Sequence, residues 1–285
     1  MNEDLKYNPA LKAELKNDIL NAYIRGSSKL RSTVRKINDA KGVAVFQKTG
    51  KGMASTKSTH GMVPVMNLDH SQSSVYLKEY FAGEWLQNFG DLSHSFDERL
   101  HVAKSFANCL GRKTDEIIID GLDESDGGHT ICADGLGMTK EKAIEAFELF
   151  GEMDIPDDGD RFAVVGWKQW ADLLSIESFI HAPYVEPSHF AANLPIQAKH
   201  WLGTIWIPHS GLPIDGDDER CCFWYHRSSI GHASGDIDLD ITWHGDRHAH
   251  FVNAMIEQGS GVIDDSGIVK IFCNESVKTE FKIKP

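Results

Sequence analysis

The sequence predicts an α+β fold, and three observations carry that assignment. Helix-period and strand-period segments are mixed along the 285 residues without regular βαβ repetition. One helical stretch, from Phe96 to Asp120, runs well past the usual three or four turns. Two short strands flank a long Gly-rich tract and read as a protruding hairpin. The length suits one large domain or two small ones with a sizeable core. A hydrophobic content of 41% with 25% charged residues is that of an ordinary soluble globular chain. No apolar run approaches the ~18–20 residues of a spanning helix, and Met1–Lys16 lacks the apolar stretch of a secretory signal. Cys109, Cys132, Cys221, Cys222 and Cys273 are odd in number, irregularly spaced and without a CxxC pair. That pattern argues against a disulfide framework or zinc ribbon, and reduced thiols are expected.

Taken in order, Leu11, Leu15, Ile19 and Tyr23 recur every fourth residue and predict a short amphipathic helix over 10–23. Arg25 to Lys41 is basic and apolar-poor, so it is expected as an extended arm. Val43–Phe46 reads as a brief strand, and a return strand follows Pro64, with Val75, Leu77 and Tyr80 nearby; the tip between them is expected to be polar. Ser95 with Glu98 forms a capping box. Phe96, Leu100, Ala103, Ala107, Leu110 and Ile117 then share one helical face, and Gly121 is the expected terminator. Gly111 inside the rod costs about 1 kcal/mol relative to Ala, which suggests close packing or a bend. Thr139 caps a helix carrying Ala143, Ile144, Phe147 and Phe150. Phe162–Val165 is a buried strand, and Trp167, Trp170 and Leu174 sit on a short helix. Leu202–Ile207 and Cys221–Tyr225 are further strands. Val262-Ile263 and Ile268–Phe272 are expected as a hairpin through Asp264–Gly267. Trp167, Trp170, Trp201, Trp206 and Trp224 are read as core.

Charge is distributed unevenly. Residues 1–60 hold twelve Lys and Arg against five Asp and Glu, a balance of +7, whereas residues 61–285 hold 17 against 37, a balance of −20. The basic arm is a solvated tail, a nucleic-acid arm acting through phosphate neutralisation, or a clamp on a neighbouring acidic subunit. Only Tyr7, Tyr23 and Phe46 are aromatic in that segment, which disfavours base stacking.

Few motifs point to catalysis. His244, His248 and His250, with Asp246 and the alternating Asp236, Asp238 and Asp240, form the one arrangement with metal-site potential, and a metal-dependent hydrolase is the alternative it supports. The same alternation describes an ordinary strand with one wet face. Thr49–Gly52 lacks P-loop spacing, and no GxSxG, HExxH or GxGxxG occurs. Cys221-Cys222 reads as buried strand rather than nucleophile. No cofactor is expected.

Several runs together resemble a known family. They are Gly26–Val34, Phe46–Gly52, Val63–His70, Gly111–Asp120, Lys199–Gly203, His209–Pro213 and Gly261–Val269. In order and across nearly the whole chain, they resemble a subgroup of tailed-bacteriophage major capsid proteins. The resemblance implies the Hong Kong 97-type shell fold: an N-terminal arm (1–36), an extended hairpin called the E-loop (37–82), a peripheral domain with the spine helix (83–138), most of an axial domain (139–235) and return strands of the peripheral domain (236–285). It implies a non-enzymatic subunit that self-assembles as hexamers and pentamers around packaged double-stranded DNA. Its site would be the virion capsid, assembled in the bacterial host cytoplasm, with a portal as a further partner. Arg25, Lys29, Arg31, Arg35, Lys36, Lys48, Lys51 and Lys57 are the expected inter-subunit contacts. Some relatives cross-link through an E-loop lysine, for which Lys48, Lys51 and Lys57 are available, but no acceptor is identifiable. The chain starts almost directly at the arm, so a separate scaffolding protein and no autocatalysis are expected. A basic-armed DNA-binding protein is the third class to be weighed.

Overall fold

The computed structural model describes residues 9–50, 52, 54–66, 68, 70–86, 96–125, 129–183 and 198–276. The N-terminal helix α1 (Pro9–Ala22) forms where the four-residue spacing placed it. Leu11, Leu15, Ile19 and the following Tyr23 are all buried. They pack on the long helix α2 (Phe96–Asp123) and on strand β10 (Ile230–His244) of the same subunit. The helix finds its partner surface within its own subunit, because α2 and β10 offer an apolar groove to the four-residue stripe. Beyond it, β1 (Arg35–Asn38) pairs in parallel with Gly231–Ser234, so the stretch after Arg25 ends in a sheet.

Strands β2 (Val43–Thr49) and β3 (His70–Tyr76) form the expected hairpin, in register from Val43 opposite Tyr76 to Thr49 opposite His70. Alternation turns Ala44 and Phe46 inward and leaves Val43 and Val45 exposed. The inner face rests on glycines: a Cβ at Gly231 would lie 2.6 Å from the Phe46 ring, and one at Gly259 would meet the Tyr76 carbonyl. Strand β4 (Lys78–Leu86) follows directly and joins β11 (Ala249–Val262). A four-stranded sheet results, ordered β1-β10-β11-β4. One of its faces lies on α1 and α2 through Ile237, Leu239, Ile241, Val252, Ala254 and Ile256.

Helix α2 spans 28 residues, a rod of about 42 Å. Ser95 of the expected capping box lies outside the described residues. Gly121 does not terminate the helix. Leu122 continues the buried face, and Gly121 lies where a Cβ would come within 2.9 Å of Ser260 Oγ. Gly111 meets the close-packing expectation, since a Cβ there would overlap the Ser27 carbonyl.

A six-stranded mixed sheet makes up the rest, ordered β5-β12-β9-β6-β8-β7. Its members are β5 (His129–Ile131), β6 (Arg161–Val165), β7 (Lys199–Trp201), β8 (Thr204–Pro208), β9 (Glu219–His226) and β12 (Ile268–Asn274). Helix α3 (Lys140–Glu152) starts at Thr139, whose hydroxyl accepts the Lys142 N–H. With α4 (Trp167–Leu174) and α5 (Glu177–Ile180) it covers an aromatic core in which Phe179, Trp201, Trp206 and Trp224 meet edge-on or tilted. Trp167 departs from the core expectation. It heads α4 half-exposed, with the Lys29 ammonium 5.9 Å above its ring.

The expected terminal hairpin does not form. Strand β11 belongs to the four-stranded sheet, whereas β12 pairs with β9 and β5 in the six-stranded one. The intervening turn instead carries the chain between sheets. Ile263 and Asp264 donate their N–H groups to the Ser229 carbonyl, and the Asp264 carboxylate accepts the Ser266 N–H and hydroxyl. Ser229 belongs to the other crossing, Arg227–Ser229, so both chain crossings lie side by side.

Candidate assembly interface

The basic residues of the arm and hairpin divide into those held within the subunit and those left open. Lys48 forms an ion pair of 2.7 Å with Asp264, near the tip-side end of the β2–β3 ladder. Beside it, Arg35 donates to the Gln47 carbonyl at 2.9 Å and lies over the Phe46 ring. These two residues border a recess of about 500 Å³ between the hairpin and Ile155, Pro156 and Ser228. Burial alone would raise the Asp264 carboxyl, but Lys48 and hydrogen bonds from Ser266 hold it below its usual range. Lys12 and Lys16 of α1 face Asp240 and Asp236 at 3.9 and 3.1 Å.

Arg31 and Lys36 are brought together in a second recess, of about 400 Å³, between the arm and the start of β10's outer stretch. Lys29 is anchored by its backbone. Asp115 of α2 accepts from Ser28 Oγ at 2.6 Å, Lys29 N–H at 3.1 Å and Leu30 N–H at 3.0 Å, and lies 3.4 Å from His209 Nε2. His209 Nδ1 accepts the Gly211 N–H, which leaves the proton on Nε2 facing Asp115. One buried carboxylate therefore joins the arm, the spine helix and the loop after β8. Lys57 is exposed on the hairpin tip; Lys51 and the Arg25 side chain lie outside the described residues.

The tip itself departs from the polar expectation. Met62, Val63, Val65 and Met66 are 95%, 72%, 83% and 51% exposed. The outer face of the four-stranded sheet is also apolar in part, with Phe81, Trp85 and Phe251 in adjoining rows. The Val63-Pro-Val-Met66 run was the signal for the first of these surfaces, an apolar segment set between glycines and lysines. No local signal marked Asp115.

The candidate metal ligands are placed differently. His248 meets the Trp243 ring edge-on at 5.3 Å and His250 meets it tilted at 4.8 Å, while His244 meets Trp85 edge-on at 5.0 Å. No group of three His, Cys, Asp or Glu among the described residues is arranged to hold a metal ion. Asp236, Asp238 and Asp240 point outward while Ile237, Leu239 and Ile241 point in, the pattern of a strand with one wet face. Burial pushes the Cys221 thiol far above its ordinary range, which removes it as a nucleophile. Among the described residues, no helix is long and apolar enough to cross a membrane.

Known structures share this architecture. The head of Helicobacter pylori bacteriophage KHP40 superposes with a TM-score of 0.62 at 11% identity, over 88% of this chain and 89% of that one. The capsid of cyanophage P-SCSP1u gives 0.60 at 13% identity, covering 88% and 90%. The capsid of a native GTA particle computed with C5 symmetry gives 0.59 at 14% identity, covering 88% and 91%. At such identities these likenesses establish the Hong Kong 97-type fold. No curated protein matches the sequence. The family described as phage capsid protein does match, over residues 8–275. The chain thus belongs to the phage capsid protein family and is a structural subunit of a phage head shell, not an enzyme.

Proposed function

We propose that the chain is the repeating subunit of a closed shell of hexamers and pentamers that encloses double-stranded DNA, with a portal and a separate scaffolding protein as partners. The observation that carries this reading is the hairpin tip. Four large apolar side chains stand more than half exposed in the segment that joins the two strands beyond Thr49 and His70. A monomer gains nothing from such a surface, whereas a subunit buried under its neighbours needs one. The GTA particle's five-fold symmetry supports pentamers at shell vertices.

In this reading residues 1–36 are the arm and 37–82 the E-loop. Residues 83–138 and 236–285 make the peripheral domain, and 139–235 most of the axial domain, with β12 counted on the axial side. Arg25, Lys29, Arg31, Arg35, Lys36, Lys48, Lys51 and Lys57 are assigned to subunit contacts; Arg35 and Lys48 act there by fixing the tip-side end of the hairpin ladder. Electron microscopy of the purified chain tests the proposal. Closed or prolate shells support it, and a population of small monodisperse particles overturns it.

A further inference from the structure

We propose that the recess framed by Arg31 and Lys36 is a carboxylate site, filled in the assembled particle by an Asp or Glu of a second copy of the chain. The proposal rests on the shell reading above and specifies which surface of the arm accepts the neighbour.

Arg31 carries donors that are not fully used within the subunit. The Arg31 guanidinium carbon lies over the Tyr23 ring, 4.6 Å from its centre. Its Nη2 makes only long contacts, 3.4 Å to Asn38 Oδ1 and 3.5 Å to Ser234 Oγ. Its Nε is shielded from solvent and has no hydrogen-bond partner among the described residues. Lys36, across the recess, has no ion pair among the described residues. A guanidinium whose Nη2 is held only by these long contacts keeps a donor that an incoming carboxylate can take with a charge-assisted hydrogen bond.

The electrostatics agree with the geometry. The Lys36 ammonium is held below the usual lysine range by burial first, then by Arg31 and Arg227. The buried His232 imidazole is pushed down to about 4, by burial first and then by Arg31, with Lys36 adding to the effect. In both groups burial is the larger cause and the Arg31 guanidinium adds to it. The acids already at the rim leave the positive charge of the recess standing: Asp236 is taken by Lys16 at 3.1 Å, and Asp39 is exposed at a φ of +57°. The recess volume of about 400 Å³ admits a whole acidic side chain.

A protein carboxylate is favoured over nucleic-acid phosphate by supply. Residues 61–285 carry a balance of −20, and in a shell that acidic surface is held against every arm at high effective concentration.

The test uses particles of the full chain grown from a mixture of ¹⁴N- and ¹⁵N-labelled subunits. A carbodiimide joins an amine to a carboxylate only at ion-pair distance. The expected product is Lys36 in amide linkage to an Asp or Glu peptide, with mixed isotope labels marking a link between copies. Lys36→Met and, separately, Arg31→Gln are expected to lower particle yield about tenfold at fixed subunit concentration, with the thermal unfolding of the free subunit unchanged for Lys36→Met. Cross-links confined to Asp39 or Asp236 of the same copy overturn the proposal. So does wild-type yield from Lys36→Met, or normal yield with weakened DNA retention, which assigns the recess to phosphate. Failure of the wild-type chain to form particles refutes the shell reading itself and is seen before any variant is made.

Discussion

At the scale of single residues, small side chains and buried polar groups set the sharpest constraints. Gly111 lies against the Ser27 carbonyl, so Gly111→Ala forces α2 away from the chain after α1. A loss of about 2–3 kcal/mol in urea unfolding is expected. Gly151, with nothing within 4 Å of its would-be Cβ, is the control: Gly151→Ala is expected to gain about 0.5 kcal/mol. His232 is the second case. It sits in a buried chain running from Tyr23 through Thr114 to Gln258, and its pKa is depressed to about 4 from an ordinary 6.5. Between those pH values the unfolded chain binds a proton that the folded chain refuses. Stability therefore rises with pH across the window, by ~3 kcal/mol, and this group adds no further slope above it. Urea midpoints at pH 4.5 and 7.5 measure the rise, and His232→Gln is expected to remove most of it.

At the scale of elements, what the sequence disclosed depended on how locally each element is determined. Helix α1, the Thr139 cap and the alternation of Asp236–Trp243 were legible because spacing within one segment fixes them. The end of α2 and the separation of β11 from β12 were not, because Ser260 and β9 decide them from far along the chain. The same holds for the interface. The cations of the arm were visible as a cluster, but nothing near Lys48 announced Asp264, 216 residues away, as its partner. The hairpin is itself one such element, held by Phe46 over Gly231 together with the Lys48–Asp264 pair and the bond from Ser73 Oγ to the Val262 carbonyl. Phe46→Ala removes a wholly buried ring and is expected to cost about 3–4 kcal/mol. Hydrogen exchange locates the effect: amides of Val43–Thr49 and His70–Tyr76 should lose protection, while those of β6 and β9 keep theirs. Uniform loss across both sheets is the contrary result.

At the scale of the whole molecule, the arm belongs to its own subunit before it meets any other. Removing residues 1–22 strips Leu11, Leu15 and Ile19 from the groove between α2 and β10. A loss of at least ~4 kcal/mol in the free subunit is expected. Lys12→Ala and Lys16→Ala, which touch only partly exposed ion pairs, should each change stability by less than about 0.5 kcal/mol. Thermal scans of the three variants distinguish a packed helix from a charged tether. The order of the strands has one further consequence. Strand β1 waits for residues 231–234, β4 for 250–258 and β5 for 269–271, so neither sheet can close until almost the entire polypeptide has left the ribosome. A chain cut short in translation carries no finished surface to offer a growing particle, and the topology by itself keeps incomplete products out of the virion.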